Sequence, residues 1–381
     1  MNIAVCGLWH LGTVTAACLA AAGHDVLGID EDVDVVDGLA GGRPPLFEPG
    51  LQDLVESGVK SGRLRFSTNF SEVRQCEVAW VTYDTPVDDE DRADINFVLS
   101  KIDRLVPHLG QDALVVISSQ LPVGTVAALE KKHHASLVCS PENLRLGKAI
   151  DAFLKPERVV AGARSDRDRA RFAAVLAPIT SSIEWMSIES AEMTKHALNA
   201  FLATSVTFIN EIATICESAG ADAREVERGL KTDGRIGPRA YLSPGSAFAG
   251  GTLARDVAFL NTLRRLPLLD NIPASNEQHK RWPLEQLRNA LGTLRDRKIC
   301  IWGLTYKPGT DTLRRSAAVE LCRWLHAEGA SLAAYDPAVS SLPDDLSRVI
   351  ELHRSAQSAA AGADAVVVAT EWPELKTSAT A

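Results

Sequence analysis

Short apolar runs alternate along the chain with longer stretches of helical spacing. Ile3–Cys6 is followed by Gly7-Leu8-Trp9-His10-Leu11-Gly12, by the Ala-rich stretch Val14–Ala22 closed at Gly23-His24, and by a second run, Val26–Ile29, ending at Asp30. This order predicts strand, glycine-containing turn, helix with a glycine cap, and strand, which is one βαβ unit. Further strand-type runs at Val78–Val81, Leu114–Ser118, Ser136–Cys139 and Val159–Ala161, separated by helical stretches, predict a parallel, doubly wound sheet over residues 1–185.

The middle of the chain changes period. From Glu189 to Ala219 there is no Gly or Pro, and Met193, Leu198, Leu202, Val206, Ile209, Ile212 and Cys216 keep helical spacing. At 1.5 Å per residue this stretch predicts one helix of about 45 Å, long enough for a spine or a dimer face. Thr262–Leu291, with Pro267, Pro273 and Pro283, reads as connecting loop and helix. From Lys298 the opening theme returns: Ile299–Trp302, Gly303, a helix across Ala317–Glu328 capped by Gly329, Leu332–Tyr335 ending at Asp336, and a later strand Ala365–Ala369.

Composition narrows the class. The 381 residues are 46% apolar and 23% charged, an ordinary globular balance, and the net charge of −9 argues against nonspecific nucleic-acid binding. Any anionic ligand must be met by local Lys/Arg or helix N-termini. No uninterrupted apolar run approaches the roughly 20 residues of a membrane span, and Met1–Val5 lacks the features of a signal peptide, so no membrane association and a cytoplasmic location are expected. Cys6, Cys18, Cys76, Cys139, Cys216, Cys300 and Cys322 are scattered without a C-x-x-C pair, which predicts free thiols and no metal site.

The first βαβ turn carries a dinucleotide signal with a defect. Gly7 and Gly12 fill the first and third glycine places, but Trp9 occupies the second, where the backbone approaches a pyrophosphate. Trp9 must stand away from that group or displace it. Asp30 ends the second strand, where a carboxylate accepts from ribose hydroxyls and repels a 2′-phosphate, which favours NAD over NADP. The residue alone also fits a plain strand-end carboxylate.

Later stretches resemble the UDP-glucose/GDP-mannose dehydrogenase family, in order along nearly the whole chain. They are Glu48-Pro49-Gly50-Leu51, Asp84-Thr85-Pro86, Leu121-Pro122-Val123-Gly124-Thr125 and Ser140-Pro141-Glu142-Asn143-Leu144-Arg145, then Glu192, Lys195, Asn199 and Asn210-Glu211. Asp233-Gly234-Arg235-Ile236-Gly237, Pro244-Gly245, Phe248 and Asp256 follow, and Gly303-Leu304-Thr305-Tyr306-Lys307-Pro308, Thr310-Asp311, Arg314, Tyr335-Asp336-Pro337 and Thr370-Glu371-Trp372 complete the series.

The resemblance implies an α/β fold with two Rossmann-like doubly wound domains joined by a long central helix. The expected division is an NAD-binding domain at 1–185, a helical dimerisation domain at 186–290 and a nucleotide-sugar-binding domain at 291–381. It implies NAD as cofactor, a UDP- or GDP-linked sugar as substrate, a homodimer through the central helix, and oxidation of a 6-hydroxymethyl group. Lys195 and Asn199, four apart on one helix face, suit an alkoxide that forms as hydride leaves. By the resemblance, Asp256 positions a water or takes a proton, and Glu142 is a second carboxylate beside the sugar. Gly7, Trp9, Leu11, Gly12, Asp30, Thr85, Gln120 and Arg314 are expected at the cofactor. Leu144, Lys195, Asn199, Arg235, Tyr241, Gly245 and Lys307 are expected at the substrate, with Arg235 reaching a neighbouring subunit's site.

One departure bears on the chemistry. The family loop reads Gly-Gly-Ser-Cys-Phe-Pro-Lys-Asp, with Cys the nucleophile of the second oxidation. Here Ala249-Gly250-Gly251-Thr252-Leu253-Ala254-Arg255-Asp256 places Thr252 in its position. An unassisted Thr hydroxyl is not ionised at neutral pH and is far less nucleophilic than a thiol. Gln120, Leu146 and Arg255 replace the family's Thr, Glu and Lys nearby. Three readings follow: a two-electron dehydrogenase stopping at the aldehyde, a four-electron enzyme using a Cys-independent route to the uronate, or a non-catalytic binder of NAD and nucleotide-sugar.

Overall fold

A computed structural model describes residues 1–88, 93–142, 144, 146–249 and 251–378. Asn143, Arg145 and Gly250, which belong to motifs quoted above, lie outside the described residues. The chain divides into two compact units, Met1–Ala197 and Leu198–Ala381, described separately here.

The first unit is built on β1 (Asn2–Cys6), β2 (Asp25–Ile29), β3 (Leu64–Ser67), β4 (Val78–Val81), β5 (Leu114–Ile117), β6 (Ser136–Cys139), β7 (Val159–Ala163) and β8 (Ile183–Met186). They form one sheet in the order β3-β2-β1-β4-β5-β6-β7-β8. Alternate residues of one strand feed opposite faces: Ile3 and Val5 enter one core, Ala4 and Cys6 the other. Burial on both faces explains why the central strands read as continuous apolar runs. The sheet is parallel except where β6 meets β7, which is antiparallel, so β7 and β8 run against the rest. That junction departs from the all-parallel expectation.

The second unit holds β9 (Lys298–Trp302), β10 (Ser331–Tyr335), β11 (Ile350–Leu352) and β12 (Ala365–Val368), all parallel in the order β11-β10-β9-β12. Its βαβ unit repeats a detail of the first. Gly303 donates its N–H to Tyr335 O as Gly7 donates to Ile29 O. Asp336 accepts from the N–H of Leu304 as Asp30 accepts from that of Leu8. Asp336 is buried and further bonded to Thr305, Ala338 and Trp372, so in this unit the carboxylate is a structural staple.

The long helix spans Ile188–Ala219, 32 residues, one residue longer at its start than the pattern gave. By length and composition alone it could cross a membrane, with an 18-residue window of mean hydropathy 1.3. Its apolar average is carried by Ala, Ile and Phe around isolated polar residues, so no uninterrupted run announces it. Only 39% of that window is buried within the chain. Thr262–Leu291, expected as connecting loop and helix, is mostly helix: Pro267–Lys280 and Trp282–Leu291 follow the short connection at residues 264–266. Pro267 and Pro283 open those helices, where a missing N–H costs nothing, and Pro273 is absorbed inside the first.

Candidate functional site

The glycine turn between β1 and the helix His10–Ala21 is fixed by two residues that cannot carry a side chain. Gly7 has φ +94°, and a Cβ there would lie 2.6 Å from the Tyr83 ring; a Cβ on Gly12 would lie 1.7 Å from Gly7 O. Trp9 differs, with an extended backbone (φ −75°, ψ −156°) and 48% exposure. The backbone there does not require glycine, and about half of the Trp9 surface faces solvent.

The helix His10–Ala21 begins with no side-chain cap and no acid in its first turn. By contrast, helices Val33–Ala40, Ile95–Leu105 and Asp166–Leu176 are capped by Asp32, Asp94 and Ser165. An uncapped helix start behind a glycine turn offers free N–H groups and a positive dipole end to an anion, and so fits a pyrophosphate. Leu11 and Gly12 lie in that first turn. Asp30 stands beside it, accepting from Leu8 N–H at 2.7 Å and Asp32 N–H at 3.1 Å. Its carboxylate is thereby aimed as well as charged. Thr85 Oγ1 donates to Gln120 O at 2.6 Å, joining two further residues expected at the cofactor.

Within the same unit, Lys195 Nζ lies 3.9 Å from Glu142 Oε1, and both side chains are mostly covered. They line a recess with Ser119, Gln120, Glu192 and His196. Glu142 is turned by accepting from Leu144 N–H. The recess is held from the long helix: Glu192 accepts from Gly124 N–H at 2.7 Å and Val126 N–H at 2.9 Å, and His196 Nε2 bonds Leu121 O at 2.9 Å. Glu192 therefore closes the start of helix Thr125–His133, whose own N-cap, Gly124, has no side chain. Burial pushes its carboxyl above the usual range although those two N–H bonds pull the other way.

In the second unit, Asn199 Nδ2 donates to Asp256 Oδ2, and Asp256 is fully buried. Thr252 opens the helix Thr252–Leu263, four residues before Asp256 and hence on the same face. The segment leading to it is fastened at several points. Asn210 accepts from Gly245 N–H at 3.0 Å, His279 Nε2 bonds Gly245 O at 2.8 Å, and Asn276 both accepts from and donates to the backbone of Phe248 at 2.9 Å. Arg235 is exposed and turns back on Asp233, whose carboxyl it holds below the usual range. Tyr241 and Arg314 are exposed, and Lys307 lies over the Tyr306 ring.

Three anchors escaped the sequence reading as site residues: Glu48, Glu192 and His196. Glu48 is buried and bonds His10 Nε2 at 2.9 Å, Gly147 N–H at 2.8 Å and Ala149 N–H at 2.9 Å. Each reaches a partner 38 to 101 residues away, a pairing that local spacing does not encode. Glu48 and Glu192 were signalled only by membership in the quoted motifs, and His196 by nothing in the sequence reading. Among the described residues no group of three or more His, Cys, Asp or Glu is placed to hold a metal, and all seven cysteines are buried and free.

Three family models cover most of the chain: the UDP-glucose/GDP-mannose dehydrogenase NAD-binding domain at residues 1–180, the central domain at 189–277 and the UDP-binding domain at 300–381. The chain is 35% identical to a UDP-glucose 6-dehydrogenase of Rhizobium meliloti over 99% of its length and 90% of the relative's. It is 33% identical to the UDP-glucose 6-dehydrogenase YwqF of Bacillus subtilis, covering 99% and 89%. Among solved structures, a UDP-glucose dehydrogenase from Pyrobaculum islandicum matches with a TM-score of 0.92 at 30% identity, covering 98% of this chain and 91% of that one.

Proposed function

Because the chain belongs to the UDP-glucose/GDP-mannose dehydrogenase family, and is thus an NAD-dependent oxidoreductase acting on CH–OH groups, we propose that it oxidises a UDP-linked sugar alcohol by two electrons and stops at the aldehyde. The observation that carries this is the retention of both polar pairs, Lys195 with Glu142 in the first unit and Asn199 with Asp256 in the second, with Thr252 at the start of the helix that carries Asp256.

The uncapped start of helix His10–Ala21 and Asp30 would hold the pyrophosphate and ribose of NAD, which would supply the hydride acceptor. Lys195 and Asn199, one turn apart on a single helix, place an ammonium and an amide donor against the developing alkoxide. Fixed donors aimed at charge that appears only in the transition state are a large catalytic contribution. Asp256, oriented by Asn199, takes the hydroxyl proton. The products are the aldehyde and NADH. A second oxidation by the covalent route needs a nucleophile on that aldehyde, and a threonine hydroxyl is far weaker in that role than a thiol.

The test is NADH formed per sugar with UDP-glucose as first substrate, together with the product mass. One NADH and an aldehyde or its hydrate are expected. Two NADH and a uronate would overturn the proposal.

The same proposal includes the division at 1–185, 186–290 and 291–381, a location in the cytoplasm, where seven buried free thiols stay reduced, and a homodimer through the long helix. Phe201, Phe208 and Ile215 are 69%, 46% and 60% exposed and seven residues apart, so they form one apolar stripe along that helix. A second copy covers it. Phe208→Asp is expected to give a monomer by analytical ultracentrifugation at micromolar concentration, where wild type sediments as a dimer; an unchanged sedimentation coefficient would remove the stripe from the interface.

A further inference from the structure

Asp30 is followed directly by Glu31 at the end of β2, and Glu31 has gathered both cations of the helix Ile95–Leu105. Lys101 Nζ lies 2.6 Å from Oε2 and Arg104 Nη1 2.6 Å from Oε1. The two charged heads also lie over aromatic rings, Lys101 Nζ over Phe97 at 5.1 Å and Arg104 Cζ over Phe70 at 5.6 Å. Each head therefore has a second contact besides Glu31. Tyr83, buried against Gly7, forms the wall of the glycine turn, and burial above all pushes its hydroxyl up.

A site that accepts a 2′-phosphate places a cation near the ribose, usually an Arg that can bind it bidentately. Here the cations exist but are spent. The four groups Asp30, Glu31, Lys101 and Arg104 sum to −2 + 2 = 0. Without the charge on Glu31 the sum becomes +1, and without that on Asp30 as well it becomes +2. Asp30 accounts for repulsion of a 2′-phosphate; it does not account for why two neighbouring cations fail to attract one.

We propose that Glu31 is a second cofactor-specificity residue, which withholds Lys101 and Arg104 from a 2′-phosphate, so that selection of NAD over NADP rests on the Asp30–Glu31 pair. The inference rests on the proposed NAD site and adds to it a residue that acts through Lys101 and Arg104. The competing account is structural: Glu31 merely fastens β2 to the helix Ile95–Leu105.

Dissociation constants for NAD and NADP, measured by isothermal titration calorimetry, separate these accounts. In Glu31→Gln, which keeps the side-chain shape, NADP binding is expected to tighten about tenfold while NAD changes by less than about threefold, one tenfold step being about 1.4 kcal/mol. Asp30→Asn with Glu31→Gln should move the ratio by about a hundredfold. Adding Lys101→Met and Arg104→Met to Glu31→Gln should return the ratio to that of wild type. A ratio unmoved by Glu31→Gln, in a protein that binds NAD normally and shifts with Asp30→Asn, would reduce Glu31 to a tie between strand and helix. Wild-type protein binding neither cofactor would overturn the NAD site and this inference together.

Discussion

Lys195→Met is expected to lower kcat roughly 10³-fold with KM for the nucleotide-sugar moving only a few fold, since a donor aimed at developing negative charge is worth about 10²–10³ in rate. Methionine keeps the length and most of the apolar stem, so the long helix loses packing at one head group only. What disappears is the one ammonium set 3.9 Å from Glu142 and covered from solvent. A donor that acts in the ground state would instead raise KM at constant kcat. Steady-state kinetics distinguish the two, and kcat within tenfold of wild type would remove Lys195 from the alkoxide. Far-ultraviolet circular dichroism should be unchanged, because Glu192 and His196, which anchor the adjoining loop, remain in place.

Thr252→Cys is expected to change the product rather than the rate, from one NADH per sugar to two. The position opens the helix Thr252–Leu263, and a thiol at a helix N-terminus ionises more readily than a free one. The added thiolate would attack the aldehyde to give a hemithioacetal; its carbon would pass a second hydride to a second NAD as its hydroxyl loses a proton, leaving a thioester that water opens to the acid and the free thiol. Asp256 lies one turn on, buried and oriented, to serve that water. Coupled measurement of NADH and uronate checks this. A variant that still stops after one NADH would mean that the loop around residue 252, and not only its side chain, has left the reaction.

How far the sequence carried the fold depends on where each strand sits. The expectations matched β4 and β6 to the residue and β1, β2, β5, β7, β9, β10 and β12 to within two. Those missed, β3, β8 and β11, are all edge strands of their sheets. An edge strand is covered on fewer sides, so Leu64–Ser67, Ile183–Met186 and Ile350–Leu352 mix exposed and half-buried residues and lack the apolar run that marks a central strand. The antiparallel step at β6 and β7 was illegible for another reason: residue patterns record burial, and both directions bury alike.

The candidate residues were legible through ordered motifs, yet their supports were not. Nothing local in Glu192 says that its partners are Gly124 and Val126, or in Glu48 that it meets His10 and Ala149. Likewise Gly12 announced itself as a glycine but not the reason, a backbone oxygen 1.7 Å from where a Cβ would be.

The bond from Glu192 to the loop at Gly124 sets a limit on how this chain can vary in length. Glu192 grips the loop and Lys195, three residues later, faces the recess, so both are phased by one helix. One residue inserted between them would turn Lys195 by about 100° about the helix axis and carry it out of the recess. Two insertions would turn it by about 200° and three would leave it about 60° short, while four come nearest to restoring its direction, displaced by about 6 Å. The segment between Arg235 and Ser243, exposed along most of its length, has no such phase to keep. Length variation among functional versions of this protein should therefore gather there and be absent between Glu192 and Lys195.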